Sequence, residues 1–487
     1  MTSPQPVVSW ACPAPGAYTR TLRFGEWISE PVTPLFESWL LTAMEDRLHD
    51  ILLRELGQRA PRPFHVVVNG WYFYSINWAA PAVMLRNLPG LLLHTIRSPR
   101  RTAGIFPPTV RHSIPVFERD WREDLQPRYR AAVASAAGRV EVMPVSELPA
   151  LVDALAADAG EYFTSIAALG GAAYKMEVNL ARFHRRHLGA VGASHLPLVS
   201  GFEPPLDPAR HAVVSLDWWY DTSPMGAIAT ARPGRHERLV EARHAAEQAA
   251  FEALASSPRR LRSFRRLLAD AQHVVPIREE QARELTIGWP VMRRAVIRIG
   301  EALAARGVIP ATDDVFFLTR GEVLANLDTG APATTVDVAS RRRMREKQAH
   351  LVPPLMVGRA NPIAQKLWDG FAGLLGATRT DRALVSGVPA SAGRASGQVR
   401  VVRGPEQFDD LLPGEILVAP LTAPAWTPLF TRAIAVVTDV GSAAAHASII
   451  AREYGIPAVV GCGDATSRLR TGMRVTVDGN TGNVEPA

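Results

Sequence analysis

The stretch that decides the fold of this chain runs from Thr438 to Gly461, TDVGSAAAHASIIAREYGIPAVVG. It reads as strand, tight turn, helix, turn, strand. A β-branched run from Ala433 to Thr438 stops at Gly441-Ser442, and Ser442 is placed to cap the helix that follows. Gly455, with Pro457 just beyond it, supplies the stop signal. His446 therefore falls in the first turns of a short helix, where unbonded backbone N–H groups and the helix dipole favour an anion. A histidine so placed can take a phosphoryl group on a ring nitrogen. In an alanine-rich helix it can equally be structural, so the surrounding chain has to decide.

Composition narrows the classes. The 487 residues suffice for several compact units with substantial cores, and 47% hydrophobic with 21% charged residues is ordinary for a soluble globular protein. Met1 to Gly16 is polar and proline-rich without an apolar core, so no secretory signal is expected. No apolar run approaches the roughly 20 residues that span a bilayer, and a cytoplasmic protein without a membrane segment is the expectation. Cys12 and Cys462 are the only cysteines, which excludes a disulfide framework and a cysteine-rich metal site; no metal-ligand set is expected. The net charge of +7 comes almost wholly from scattered arginine, since lysine occurs only at 175, 347 and 366. The densest basic run, Arg341 to Lys347, reads as the solvated face of a helix, so nucleic acid is not an expected partner. No glycine-rich loop carries a lysine and the Walker pattern is absent, so activation of ATP by this chain alone is not expected.

Along the chain the pattern predicts an α+β multidomain protein. Residues 1–375 read as a mainly helical unit, 376–386 as a linker, and 387–487 as a small unit of short β runs punctuated by Gly and Pro. Within the first unit, Leu40, Leu41, Met44, Leu48, Ile51 and Leu52 recur at helical spacing, and residues 64–76 form strand, Asn69-Gly70 turn, strand. The second strand carries Trp71, Tyr72, Phe73 and Tyr74, with Trp78 beyond; Trp71 and Phe73 share one face, which either packs in the core or lines a pocket for a flat ligand. Helix is clearest at 148–157 and 162–188. The aromatic and acidic run Ser215 to Asp221, with Trp218 at its centre, either contacts substrate or anchors a long loop. A long helical region from Arg235 to Arg306 is expected to break near Ser257-Pro258 and near Pro276. Just past Pro276, Arg278 and Arg283 lie about one turn apart and either grip phosphate or join an intrahelical Arg–Glu ladder. Asp313 to Thr319 reads as a short buried strand leading into a capped helix at Glu322.

Four ordered blocks of the last hundred residues resemble the swivelling phosphohistidine domain of the phosphoenolpyruvate (PEP) synthase and pyruvate phosphate dikinase superfamily. They are Gly387 to Gly397, Gly414 to Pro420 with Thr422, Pro424, Trp426 and Pro428, the opening stretch, and Val477 to Val484. The resemblance implies that His446 is the phosphorylated residue. Ser442 stands where that family usually has a second glycine, and Ala444 and Ala445 stand where it has hydroxyl or thiol residues; regulation by phosphorylation at the Ala444 position is therefore not expected. More weakly, Glu26 to Leu35, Asn69 to Tyr74, the Arg278-Glu279 helix and Asp314 to Thr319 resemble the middle domain of rifampin phosphotransferase-like proteins, with Ala282 in place of a lysine found in some of them.

This layout also resembles the histidine-bearing subunit of two-component phenylphosphate synthases. The resemblance implies a separate ATP-grasp-type subunit holding ATP and Mg2+, with no cofactor bound tightly to this chain. A pyruvate-handling barrel is not expected. The implied reaction is phosphorylation of a phenol or alkylphenol such as cresol, with ATP giving AMP and phosphate. Arg278, Arg283 and Ser442 are the expected phosphate-binding residues, and Trp71, Phe73 and Trp218 the expected substrate contacts. The alternatives are a phosphotransferase for a larger alcohol such as a rifamycin-like antibiotic, and a non-catalytic regulatory binding subunit.

Overall fold

The computed structural model describes residues 8–20, 28, 30–77, 80–105, 109–192, 194–202, 216–220, 235–328, 336–351, 353–359, 361–362, 366, 382–422, 426–441 and 445–487. Its helices include α1 (Thr42–Leu56), α2 (Pro81–Arg97), α3 (Gln126–Ala137), α4 (Leu148–His187), α5 (Arg235–Ala253), α6 (Pro258–Leu285), α7 (Trp289–Ala305), α8 (Arg320–Leu327), α9 (Val338–Ala349), α10 (Thr427–Arg432) and α11 (His446–Tyr454). Twelve strands among the described residues form two sheets: a four-stranded sheet in the helical part and an eight-stranded sheet near the C-terminus. The protein is α+β and multidomain, mostly helical, with a β-containing C-terminal unit.

The 40-residue helix α4 is the axis of the helical part. Its first half packs Leu155, Ala159 and Tyr162 into a core with Phe36, Trp39 and Trp289. Its second half packs Met176 and Leu180 against Phe264 and Leu268 of α6. The segments where helix was clearest, 148–157 and 162–188, belong to this one helix, and Gly160 between them is the point where α1 crosses. A Cβ there would meet Arg47 Cβ at 3.0 Å and Met44 Cα at 3.1 Å, so the glycine serves helix packing rather than a break.

Two expectations are corrected. Pro276 lies inside α6, which continues to Leu285. Val274, Val275 and Ile277 around it are buried, and their packing outweighs the hydrogen bond that proline forgoes. The expected strand at Asp313–Thr319 is a 3₁₀ turn over Thr312–Phe317. Val315, Phe316, Phe317 and Leu318 are all buried, a run whose length and apolarity do not distinguish strand from helix. Asp314 accepts the Ala311 N–H at 3.0 Å and tightens that turn. The capped helix is present: Thr319 Oγ1 accepts the Glu322 N–H, and Glu322 accepts the Thr319 N–H at 2.7 Å.

The hairpin forms as its sequence predicts. β2 (His65–Val68) and β3 (Trp71–Ser75) pair with Val68 opposite Trp71, and Asn69 and Gly70 both take positive φ, +50° and +79°. β1 (Ala17–Thr19) then pairs with β3 and, on its other side, with β4 (Met356–Gly358), giving the order β2-β3-β1-β4. The run Arg341 to Lys347 lies on α9 but is only partly a solvated face. Arg341 pairs with Glu322 at 2.7 Å, Arg342 with Asp314 at 2.6 Å, and Arg345 is buried over Trp219 with Nη2 on the Tyr220 hydroxyl at 2.9 Å.

The C-terminal sheet runs β5-β12-β11-β7-β8-β9-β10-β6. Its centre, β7 (Arg394–Val401), β8 (Ile416–Ala419), β9 (Ala435–Thr438) and β10 (Ala458–Val460), is parallel; β5 (Val385–Ser386), β6 (Val388–Ser391), β11 (Arg474–Asp478) and β12 (Asn483–Pro486) pair antiparallel. β8 shows why both faces are covered. Leu417 and Ala419 pack under α10 and α11, while Ile416 and Val418 pack with Val475 and Val477 on the other side.

Candidate active site at the start of helix α11

In a parallel sheet ligands gather outside the carboxyl ends of the strands. The chain leaves β9 at that edge, and a short turn brings it to His446, the first residue of α11. The turn is pinned on both sides. The Asp439 and Val440 N–H groups donate to Ala419 and Pro420, and those of Cys462 and Gly463 donate to Thr438 and Asp439. Gly441 passes so close to β10 that a Cβ would meet Val460 Cβ at 2.8 Å, while a Cβ on Gly461 would meet Gly441 O at 2.6 Å. The Asp439 carboxylate accepts from the N–H and the hydroxyl of Thr466; burial pushes its pKa up, against those hydrogen bonds. It is a brace of the turn.

The N-cap of α11 is Ala445, with no side-chain cap. The expectation that Ser442 caps the helix is thus corrected, and Ser442 itself lies outside the described residues. The cap is a residue without a side-chain acceptor, so the first N–H groups of α11 receive no side-chain bond from it. At the other end Gly455, with φ +54°, closes the helix as predicted, and the Ile456 N–H donates to Ala451 at 3.0 Å.

One turn before that stop, α11 reaches into the helical unit. Arg452 donates from Nε to Ala390 O at 2.7 Å and from Nη2 to Glu177 Oε1 of α4 at 3.0 Å. Arg278 of α6 approaches the same carboxylate, Nη1 to Oε2 at 3.8 Å, and His195 Nε2 lies 3.6 Å from Oε1. Glu177, Arg278 and Arg452 are all buried. Burial pushes the Glu177 carboxyl up, but Arg452, His195 and Arg278 together outweigh it and hold the pKa at about 2. Beside the ion pair, Val388 of β6 packs against the Val178 and Ala181 cluster of α4. A cleft of about 110 Å³ remains between the units, lined by His184, Pro197, Ala250, Ala392 and Asn480 among others.

The expected site residues therefore separate. Arg278 is brought to the helix that His446 opens, with Glu177 of α4 between them. The side chain of Glu279, a candidate rung of the intrahelical ladder, is outside the described set. Arg283 lies on α6, and its side chain is outside the described set, as is that of His446.

Trp71 and Phe73 are buried. They pack with Tyr18, Val66, Val68 and Val357, Trp71 Nε1 donates to Gln348 O at 3.0 Å, and Arg20 stacks over the indole at 4.4 Å. Trp218 is fully buried, edge-on to Phe36 and Trp39. Its neighbour Asp217 accepts from Thr33 N at 2.6 Å, Thr33 Oγ1 at 2.9 Å and Trp219 N at 3.0 Å, so this run anchors a loop. Aromatic residues on both faces of β3 are core because Tyr72 and Tyr74 pack on the helical core while Trp10, Cys12 and Ala14 of the N-terminal segment pack on the Trp71 and Phe73 face. Sequence reading missed Glu177 and Arg452. The available signal was a carboxylate at a core-facing position of α4, between Met176 and Val178 and in register with Ala173 and Leu180.

Residues 411–482 match the family model described as PEP-utilising enzyme, mobile domain. The C-terminal unit is thus similar to that mobile domain over those residues. The chain is 38% identical over 191 residues to an uncharacterized phosphotransferase of Bacillus subtilis, an alignment covering 39% of this chain and 23% of that protein. It is 31% identical over 316 residues to a rifampicin phosphotransferase of a Streptomyces species, covering 63% of this chain and 34% of that one. With the phosphoenolpyruvate synthase of Aeropyrum pernix it shares 54% identity over 102 residues, 21% of this chain and 12% of the other. The chain spans about a third or less of the length of these relatives. The 316-residue alignment is longer than the mobile domain, so the likeness extends into the helical unit.

Proposed function

We propose that the chain is the phosphohistidine-bearing, acceptor-binding part of an ATP-dependent phosphotransferase. His446 takes a phosphoryl group from an ATP- and Mg2+-binding unit, in our reading a separate subunit, and the mobile domain delivers it to an acceptor hydroxyl held by the helical unit. The observation that carries this reading is the position of His446 as first residue of α11, at the carboxyl edge of the parallel strands of a unit similar to the PEP-utilising mobile domain. There the dipole and the first N–H groups offset charge on a phosphorylated imidazole. The neutral imidazole forms an N–P bond as the donor's bond to that phosphorus breaks; the acceptor oxygen then displaces the imidazole while its proton passes to a base.

Of the acceptor classes, the larger alcohol draws support from the Streptomyces rifampicin phosphotransferase, whose similarity reaches the helical unit. Burial of Trp71, Phe73 and Trp218 removes the aromatic-strand argument for a small phenol. The test supplies the ATP-binding unit and ATP labelled at the β-phosphate. Acid-labile, base-stable label is expected on the wild-type chain and none on His446→Ala; label persisting on the variant sinks the assignment. A panel of cresols and rifamycin-type alcohols then reads the acceptor, with turnover of cresols alone restoring the phenol reading.

A further inference from the structure

Among the described residues, the C-terminal unit meets the helical unit at a buried charge cluster and at small apolar contacts beside it. Glu177 on α4 meets Arg452 on α11 at 3.0 Å, with Arg278 and His195 at its other side. Arg452 is bonded within its own domain as well, to Ala390 O of β6, which fixes the direction of its guanidinium. The apolar part includes Val388 against the Val178 and Ala181 cluster of α4, with a cleft beside it. Such an interface has a specific energetic character. The Coulomb gain of a buried pair is largely cancelled by desolvation, so an intact pair adds little net stability; removing one partner leaves the other charge buried and uncompensated. It enforces register and leaves dissociation easy.

We infer that Glu177 and Arg452 form a docking latch, which positions the His446 helix on the acceptor-binding unit for delivery and releases it without a large barrier. Glu177 sits between the two arginines, so one carboxylate serves both the docked helix and Arg278. When the domain leaves, Arg452 returns to water and Glu177 keeps Arg278 and His195 as neighbours. Both latch residues are positioning residues. The assignment to delivery rests on the proposed phosphoryl transfer; the docking contact does not.

The experiment has two readouts on the full chain. Small-angle X-ray scattering of wild type, Glu177→Gln, Arg452→Met and the double variant reads docking without any substrate. Each single variant is expected to enlarge the radius of gyration as the mobile domain detaches, and the double variant to change less than the sum of the two, because no unpaired charge from the Glu177–Arg452 pair remains buried. Single variants that scatter like wild type while circular dichroism shows a folded chain overturn the latch. Should Glu177→Gln fail to fold, Arg452→Lys keeps the charge without the bidentate reach, and its scattering decides in the same way. The second readout separates the half-reactions. His446 is expected still to accept label in the single variants while discharge to acceptor slows at least tenfold. Equal slowing of both steps, or no slowing of discharge, overturns the positioning role. If His446 accepts no label even in wild type, the proposed function fails and the scattering result still stands.

Discussion

At the residue scale the charged groups that sequence reading passed over explain the most. Lys175, one turn from Gly171 on α4, donates to Gly104 O at 2.6 Å, and burial pushes its pKa down to about 8. Unfolded lysine titrates near 10.4. Between about 8 and 10.4 the unfolded chain therefore binds more protons than the folded one, and stability contributed at this position rises with pH across that window. Wild type is expected to gain up to about 3 kcal/mol relative to Lys175→Met between these pH values, about 1.4 per unit; urea unfolding at each pH measures it. A wild-type advantage that stays constant with pH contradicts the assignment. The placement of His446 at a helix start was legible from sequence because a strand, two close-packed glycines and a helix stop all lie within the 24 residues quoted at the outset. Its role as phosphoryl carrier came from the resemblance alone. Glu177 was not legible, because a carboxylate's partner is chosen across 275 positions of chain.

At the element scale the reliable signals were those with a hydrogen-bond mechanism. Asn69-Gly70 made its hairpin and Thr319-Glu322 its capped helix. Glu322 also receives Arg341, and Arg341, together with the Thr319 bonds, outweighs partial burial to hold its pKa at about 2. Glu322→Ala removes the box and the ion pair. A loss of about 1–2 kcal/mol is expected, read as a lower urea midpoint, with Glu322→Gln closer to wild type because it retains the cap. Equal losses in the two variants would put the whole effect in the ion pair. The signals that failed were statistical ones. Pro276 did not break α6, and the apolar run after Asp314 did not become a strand, because burial on several sides outweighs a propensity of about 3 kcal/mol or less.

At the scale of the whole molecule, two long-range contacts organise the chain. β1 and β4 pair Tyr18 with Val357, tying the start of the helical unit to its far end under a cluster that holds Trp71 and Phe73. Val357→Asp places a carboxylate in that cluster. It is expected to lower the stability of the helical unit by about 3 kcal/mol or more, with hydrogen exchange in residues 385–487 unchanged; faster exchange in both units would make them one cooperative body. The second contact is the Glu177–Arg452 latch. The sequence by itself determined the α+β class, the strand–helix–strand order around α11, the hairpin, the Thr319–Glu322 cap and the Gly455 helix stop, since each is written in patterns a few residues long. Only the tertiary structure decided that the aromatic strand is core, that α4 is continuous, and which carboxylate receives Arg278 and Arg452. Those outcomes depend on what covers a face or opposes a charge, and packing of distant segments sets that.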